Sequence, residues 1–255
     1  MTDREIIRHI DEGAVFYLDF FAAGPHMEKT DMGYYRFMKP VGGEKGVRFV
    51  YDVRLDGLSE NEQLEKIAEI KALKMPVWWS LQSSDELYFR IYGKTKQKSA
   101  EPADGDDLYI GILSADGIPK VCPREKVSIK KVASADEFAL WTQCVNGWLH
   151  SGYPYIHPQN HYGACESGVI SCYVCFEGET PTAVCAVFDN GGVCSLEFVA
   201  THPDYRRRKF ASFLCFYAMR EAFSRGADII TLRAGNPGTQ QLYTSLGFGL
   251  YNHAI

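Results

Sequence analysis

Four consecutive cations, Arg206, Arg207, Arg208 and Lys209, stand between a β-type run ending in VATHP and a long apolar stretch, FASFLCFYAMREAF. A tight turn from strand into helix at that point aims unpaired backbone N–H groups and the positive helix end at one spot. With the side-chain charges added, this is an anion site suited to a phosphate or pyrophosphate. The chain as a whole carries 27 Lys and Arg against 32 Asp and Glu, a formal net charge of -5, which opposes any general attraction to phosphate backbones or anionic lipid. The run therefore reads as a local site. No nucleic-acid partner is expected, since exposed aromatics are not interleaved with the cations.

Other constellations point to less. Cys172 and Cys175 form a C-x-x-C, but an odd offset on a strand sends the two thiols to opposite faces. His157, His161 and Cys165 recur every four residues, yet Pro158 and Gly163 argue against one continuous helical face, and no metal is expected. The GGEKG of residues 42–46 lacks the length and ending of a phosphate loop and reads as a hairpin turn. The eight cysteines fall mostly in apolar alternating segments such as VISCYVCF and read as small buried hydrophobes of a reducing cytosol. MTDREIIRHI is charged from its third residue and no apolar run nears the roughly 18 residues of a membrane span. A soluble cytoplasmic protein without an export signal is expected.

The elements that must position these residues are clearest in the second half. Ser134 and Glu137 form a capping box, and Phe138, Trp141, Val145 and Trp148 then recur at helical spacing, predicting a helix over 135–149. SGYPYIHPQNHYG reads as a loop. Runs at 169–176, 182–188 and 193–201, separated by EGETP and DNGG, predict an antiparallel meander. Residues 210–225 predict a deeply buried helix ended by Gly226. DIITLRA is a buried strand, and NPGTQQLYTSLGF a short helix with Asn236 as N-cap and Pro237 at its first position.

In the first half, residues 14–22, 33–38 and 47–53 read as strands, Ser59 and Glu62 cap a charged helix reaching about Leu73, and PVWWSL and DLYIGIL add strands around a helical stretch at 85–92. A boundary falls near 120–127. The chain thus divides into an α+β unit at 1–122 and a second at 127–255, the latter a mixed, mostly antiparallel bent sheet flanked by helices.

Two segments carry a family resemblance. LEFVATHPDYRRRKFASFL followed by NPGTQQLYTSLGF resembles the GNAT superfamily of N-acetyltransferases, whose cofactor motif Q/R-x-x-G-x-G/A falls here on Arg206, Arg207, Arg208, Lys209, Phe210 and Ala211. Lys209 departs from the pattern: the usual Gly lets the backbone approach the pyrophosphate without a Cβ in the way. The closing motif N-x-x-A-x-x-L-Y-x-x-x-G-F meets Asn236, Leu242, Tyr243, Gly247 and Phe248 in register, with Thr239 replacing Ala. The resemblance covers residues 127–255, while residues 1–122 resemble the worn first half of tandem GNAT proteins.

The resemblance implies acetyl-CoA as co-substrate, its pantetheine arm lying beside Val199, Ala200 and Thr201 in a slot between splayed strands, with Asn236 bonding the arm. It implies Tyr243 as the acid that protonates the departing thiolate, and a backbone N–H near Val199 or Ala200 as the donor that polarises the thioester carbonyl. Amine acylation also needs a base, because an aliphatic amine of pKa near about 10 is only about a thousandth neutral at pH 7, a handicap of roughly 4 kcal/mol. Glu197 is the candidate, since in an unbulged strand it shares a face with Val199 and Thr201. Trp148, Tyr153, Tyr155, His157 and His161 are candidate walls for the acceptor, a small-molecule amine or a protein amine. The alternative reading is a protein that binds acetyl-CoA without turnover, as a sensor or interaction module.

Overall fold

The computed structural model describes residues 1–23, 26–43, 47–77, 109–113, 118, 121, 127–149, 155–234 and 237–251. Its first element is a helix, α1 (Asp3–Phe21), where the apolar run 14–22 predicts a strand. Thr2 and Glu5 close a capping box: the Glu5 N–H donates to the Thr2 hydroxyl at 3.3 Å and the Thr2 N–H to the Glu5 carboxylate at 2.7 Å. From that start Ile6, Ile10, Ala14, Leu18 and Phe21 are buried at spacings of three and four. A nine-residue apolar window has no period of its own, so the polar turns before it decide the element.

A small antiparallel sheet follows, in the order β1 (Met27–Asp31), β2 (Arg36–Pro40), β3 (Phe49–Tyr51). Strands predicted at 33–38 and 47–53 overlap β2 and β3; the polar β1, MEKTD, carries no apolar signal. Helix α2 (Glu60–Ala72) starts at the predicted Ser59–Glu62 capping box and buries Ile67 and Ile70 against Tyr35, Val50, Val53 and Leu55. Val77 bridges to Val50. The last four residues of PVWWSL, the helical stretch at 85–92 and the last three residues of GGEKG lie outside the described residues.

The large sheet has the order β10-β4-β9-β8-β7-β6-β5. Its strands are β4 (Tyr109–Leu113), β5 (Val127–Lys131), β6 (Ile170–Glu177), β7 (Thr180–Asn190), β8 (Val193–Thr201), β9 (Ile229–Ala234) and β10 (Gly249–Leu250). The predicted meander is β6, β7 and β8. Only β8 and β9 run parallel; the remaining pairs are antiparallel. β4 precedes the 120–127 boundary, yet it pairs with β9 from Tyr109↔Ala234 to Leu113↔Ile230. The large sheet therefore draws on both halves of the chain.

Helices cover both faces. α5 (Phe210–Ser224) and α6 (Pro237–Ser245) enclose one core with Cys175, Cys194, Leu196, Ile230 and Leu232. α1, α3 (Ala135–Trp148) and α4 (Pro158–Glu166) enclose the other with Cys172, Phe188, Phe198 and Ala200. Cys172 and Cys175 thus face opposite cores, as their spacing predicts.

α4 replaces part of the expected loop. Pro158 sits at its first position, where a missing N–H is harmless, and His157 before it is extended, as a residue preceding proline prefers. Pro158 at the first position and Gly163 inside the helix are therefore both compatible with a helical face bearing His161 and Cys165. Asn146 of α3 anchors the approach, donating to the Ile156 carbonyl at 2.9 Å and accepting from its N–H at 3.2 Å.

α1 crosses the large sheet where β8 and β9 meet. A Cβ on Gly13 would lie 3.2 Å from the Thr231 hydroxyl and 3.3 Å from the Ser195 Cβ, so glycine sets the distance of closest approach. Gly13→Leu is expected to lift the helix and lower stability by about 1–3 kcal/mol, read as a fall in the urea midpoint of unfolding.

Candidate active site at a split in the sheet

β8 and β9 pair only through Val193↔Ile229, Cys194↔Ile230 and Ser195↔Thr231. Beyond these pairs the two strands separate, and residues 196–201 of β8 have no ladder partner on that side. The other side of β8 stays paired to β7, but with a bulge: Ala186 lies opposite Glu197 and Val184 opposite Ala200. Phe198 carries the extra residue in a left-handed backbone, φ +54°, which costs a non-glycine residue about 1–3 kcal/mol. Trp141 supports the bulge, donating its indole N–H at 3.0 Å to the carbonyl of Cys185, the residue left without a partner in register. The same indole meets Phe198 edge-on, with centroids 5.5 Å apart.

The bulge corrects one expectation. An unbulged strand would set Glu197 on the face of Val199 and Thr201. Instead Phe198 and Ala200 both pack into the core under α1 and α3, while Leu196 and Val199 pack against the α5 core. Glu197 joins Ser195 and Phe198 on the α1 side.

Continuing the register of the last three pairs sets Glu197 opposite Arg233 of β9. The Arg233 guanidinium lies 5.7 Å from the centre of the Tyr17 ring of α1. Burial pushes the Glu197 carboxyl up to about 7, against the opposing pull of Arg233 and the Ser195 hydroxyl. Burial also pulls the Arg233 guanidinium down, while Glu197, Tyr17 and Asp11 hold it up. Tyr243 of α6 is buried on the opposite face, in the α5 core. Burial raises its phenol well above the usual range, and Cys215 and Glu197 push the same way. The split is thus flanked by a carboxyl on one face and a phenol on the other. Sequence reading missed Arg233, although a lone cation in the apolar strand DIITLRA, alternating with Thr231, was the available signal.

After β8 the chain makes a 3-10 turn, Pro203–Tyr205, and enters α5 through the basic run. Arg207 and Lys209 both adopt left-handed backbone, φ +62° and +66°, so Lys209 holds the conformation for which the motif uses glycine. The first α5 bond joins the Phe213 N–H to the Lys209 carbonyl at 3.0 Å; the N–H groups of Phe210, Ala211 and Ser212 precede it. Arg206, Arg207 and Lys209 are exposed around this end. Arg208 is otherwise engaged: it bonds Glu177 at 2.5 Å and stacks 5.0 Å from both the Tyr205 and Phe210 rings. Phe210 itself is a buried core residue. Asn236 lies outside the described residues.

Residues 136–248 match the model of the Acetyltransferase (GNAT) family. Residues 136–248 form a GNAT domain. Over 94% of the chain the fold is similar to that of a GCN5-related N-acetyltransferase from Kribbella flavida, at 14% identity, 91% coverage of that chain and a TM-score of 0.63. A GCN5-related N-acetyltransferase from Sphaerobacter thermophilus matches 87% of this chain and 79% of its own at 14% identity, TM-score 0.57. A functionally unknown conserved protein from Staphylococcus epidermidis matches 92% and 93% at 12% identity, TM-score 0.54. The likeness in fold therefore spans the N-terminal half as well as the GNAT domain. No curated protein matches the chain.

The expected acceptor walls are dispersed around the GNAT domain. Trp148 meets His202 edge-on at 5.4 Å, beside the basic turn. Tyr155 packs against Phe21. His157 and His161 gather with His26, at ring separations of 4.9 and 5.7 Å from it, and the Asn160 amide lies 2.7 Å from His26 Nδ1. His161 is wholly buried, and burial holds it neutral by pulling its pKa down to about 4. Tyr153 lies outside the described residues. Among the described residues no group of three or more His, Cys, Asp or Glu is arranged to hold a metal ion, and no helix is long and apolar enough to cross a membrane.

Lys209→Gly is expected to relieve the left-handed backbone and raise stability by about 1 kcal/mol, read as a higher thermal midpoint. A lower midpoint would mean that the lysine side chain contributes more than its backbone costs.

Proposed function

We propose that the GNAT domain transfers an acetyl group from acetyl-CoA to a primary amine by direct attack in a ternary complex. The observation that carries this reading is the split, an open strand edge at 196–201 with Glu197 on one face of the sheet and Tyr243 on the other. An open edge pairs readily with an extended amide-bearing chain, and Val199 to Thr201 would take the pantetheine arm there. Arg206, Arg207 and Lys209, with the first N–H groups of α5, would hold the pyrophosphate. Bound acetyl-CoA supplies the thioester, whose carbonyl carbon bonds the amine nitrogen as the C–S bond breaks.

The chain's own residues then manage protons. Glu197 takes the proton that the ammonium acceptor must lose, directly or through one water, and passes it to solvent. The Val199 N–H, on the stretch of β8 that has no β9 partner, would stabilise the oxyanion. Once the C–N bond has formed the nitrogen sheds its second proton to solvent, while Tyr243 donates its phenolic proton to the departing thiolate and regains one from solvent. Residues 127–255 carry this machinery, and residues 1–122 roof it through α1. Among the described residues six of the seven free cysteines are buried, which fits a reducing cytoplasm.

Calorimetric titration with acetyl-CoA tests the cradle. Arg206→Ala with Arg207→Ala is expected to weaken binding at least about tenfold by removing two phosphate contacts. Arg208→Ala should act mainly on stability through the lost Glu177 pair. Absence of binding to the wild type would sink the reading.

Thiol release with an accepted amine is expected to rise with pH through about 7, since the Glu197 carboxylate is the active form and burial holds its proton to that pH. Glu197→Gln should abolish that limb and lower kcat about 10²–10⁴-fold. Tyr243→Phe should lower kcat about 10²-fold with acetyl-CoA affinity unchanged. Binding that persists in both variants, with no thiol release by the wild type for any amine, would favour a sensor.

A further inference from the structure

A guanidinium pressed between a sheet and a helix is costly unless anions or π faces answer it. Arg233 has both kinds of neighbour. It lies two residues past the last β8–β9 pair, where the continued register would set it opposite Glu197; the two groups act on each other's ionisation, and its guanidinium lies over the Tyr17 ring of α1. The charged and titratable groups that act on this pair come from several packed elements: Tyr17 and Asp11 from α1, and Tyr243 from α6, which Cys215 of α5 and Cys185 of β7 influence in turn. Arg233 is the cation of this set. Asp11 is 5% exposed and draws on the same guanidinium, so α1 supplies both a carboxylate and a ring to it.

This arrangement is more than packing. A general base must be ionised at working pH, and a carboxyl shielded from water resists ionisation. A cation placed in register across the split offsets that resistance where the proton must be accepted. The Tyr17 ring fixes the cation's place, because a guanidinium is attracted to an aromatic face over a narrow range of positions. Gly13, one turn earlier on α1, sets how closely the ring can approach.

We propose that Arg233, lodged between the Tyr17 ring and the mouth of the split, is a positioning residue that keeps the Glu197 carboxylate ionised, and that Tyr17 thereby makes the N-terminal helix part of the catalytic apparatus. The role in catalysis rests on the reading of Glu197 as the base. The electrostatic link does not, and the two can fail separately.

The test is a carboxyl titration of full-length protein labelled with ¹³C-glutamate, without substrate, following the resonance that disappears in Glu197→Gln. Arg233→Met is expected to raise the Glu197 midpoint by at least about one pH unit, a tenfold gain in proton affinity. Arg233→Lys should return most of that shift, and Tyr17→Leu should move the midpoint upward by a smaller amount. If Arg233→Met does not fold, Arg233→Gln takes its place. With acetyl-CoA and an accepted amine, the acid limb of kcat/KM should move with the carboxyl midpoint while acetyl-CoA affinity holds. A Glu197 midpoint unchanged in a folded Arg233 variant, or one that lysine does not restore, overturns the proposal. Should the midpoint move as expected while no amine is ever acetylated, the link between Arg233 and Glu197 stands and the transferase reading falls.

Discussion

The parallel contact between β8 and β9 lasts three residues, and the rest of the domain is arranged around its ending. Two strands that begin in register would ordinarily continue, since each further pair satisfies two backbone groups that are costly to leave unmet. Here the bulge at Phe198 turns β8 away, and Trp141 answers the carbonyl at the point of irregularity. The left-handed backbone of Phe198 is stored strain, held by aromatic packing from α1 and α3. Bulges of this kind re-aim side chains, and this one brings Phe198 onto the face that Ser195 and Glu197 already share while setting Val199 on the other.

That cover explains why the first helix is so aromatic. Phe16, Tyr17, Phe20 and Phe21 interlock with Phe188 and Phe198, sealing one mouth of the split. Sealing shields charge from water, which raises the Glu197 carboxyl and calls for a cation beside it. On the far face Tyr243 is sunk among the apolar residues of α5 and α6. Burial raises both groups, but a cation acts on the carboxyl while the phenol sits among apolar side chains, although a single sheet separates them.

Much of this was legible in the sequence. The capped helix after Ser134, the meander, the apolar α5 and the basic run before it all followed from period, turns and caps. What escaped reading did so for identifiable reasons. AVFYLDFFA lacks a period by itself, so its apolar content alone predicts a strand where α1 stands. Pro158 has the signature of a breaker, although the first position of a helix tolerates it, which hides α4. The bulge has no local signature, since Phe198 is an ordinary strand residue placed in an unusual backbone by its neighbours. Arg208 looked like one of four equivalent cations until Glu177, 31 positions away, claimed it. β4 lies beside β9 through contacts that span more than a hundred residues, beyond the reach of any window.

The position of α1 and β4 has a consequence for how the chain is made. Both are synthesised well before the strands they cover or pair with, β8 and β9. At ribosomal speeds of about 5–20 residues per second, roughly 10–40 s separate the emergence of α1 from that of β9. Throughout that interval an aromatic helix face awaits partners not yet translated, joined for about its later half by the unpaired edge of β4. The contacts that seal the site are also those of longest sequence separation, so loop closure delays them. Folding of this chain is expected to finish at the split in its large sheet, with α1 among the last pieces to dock.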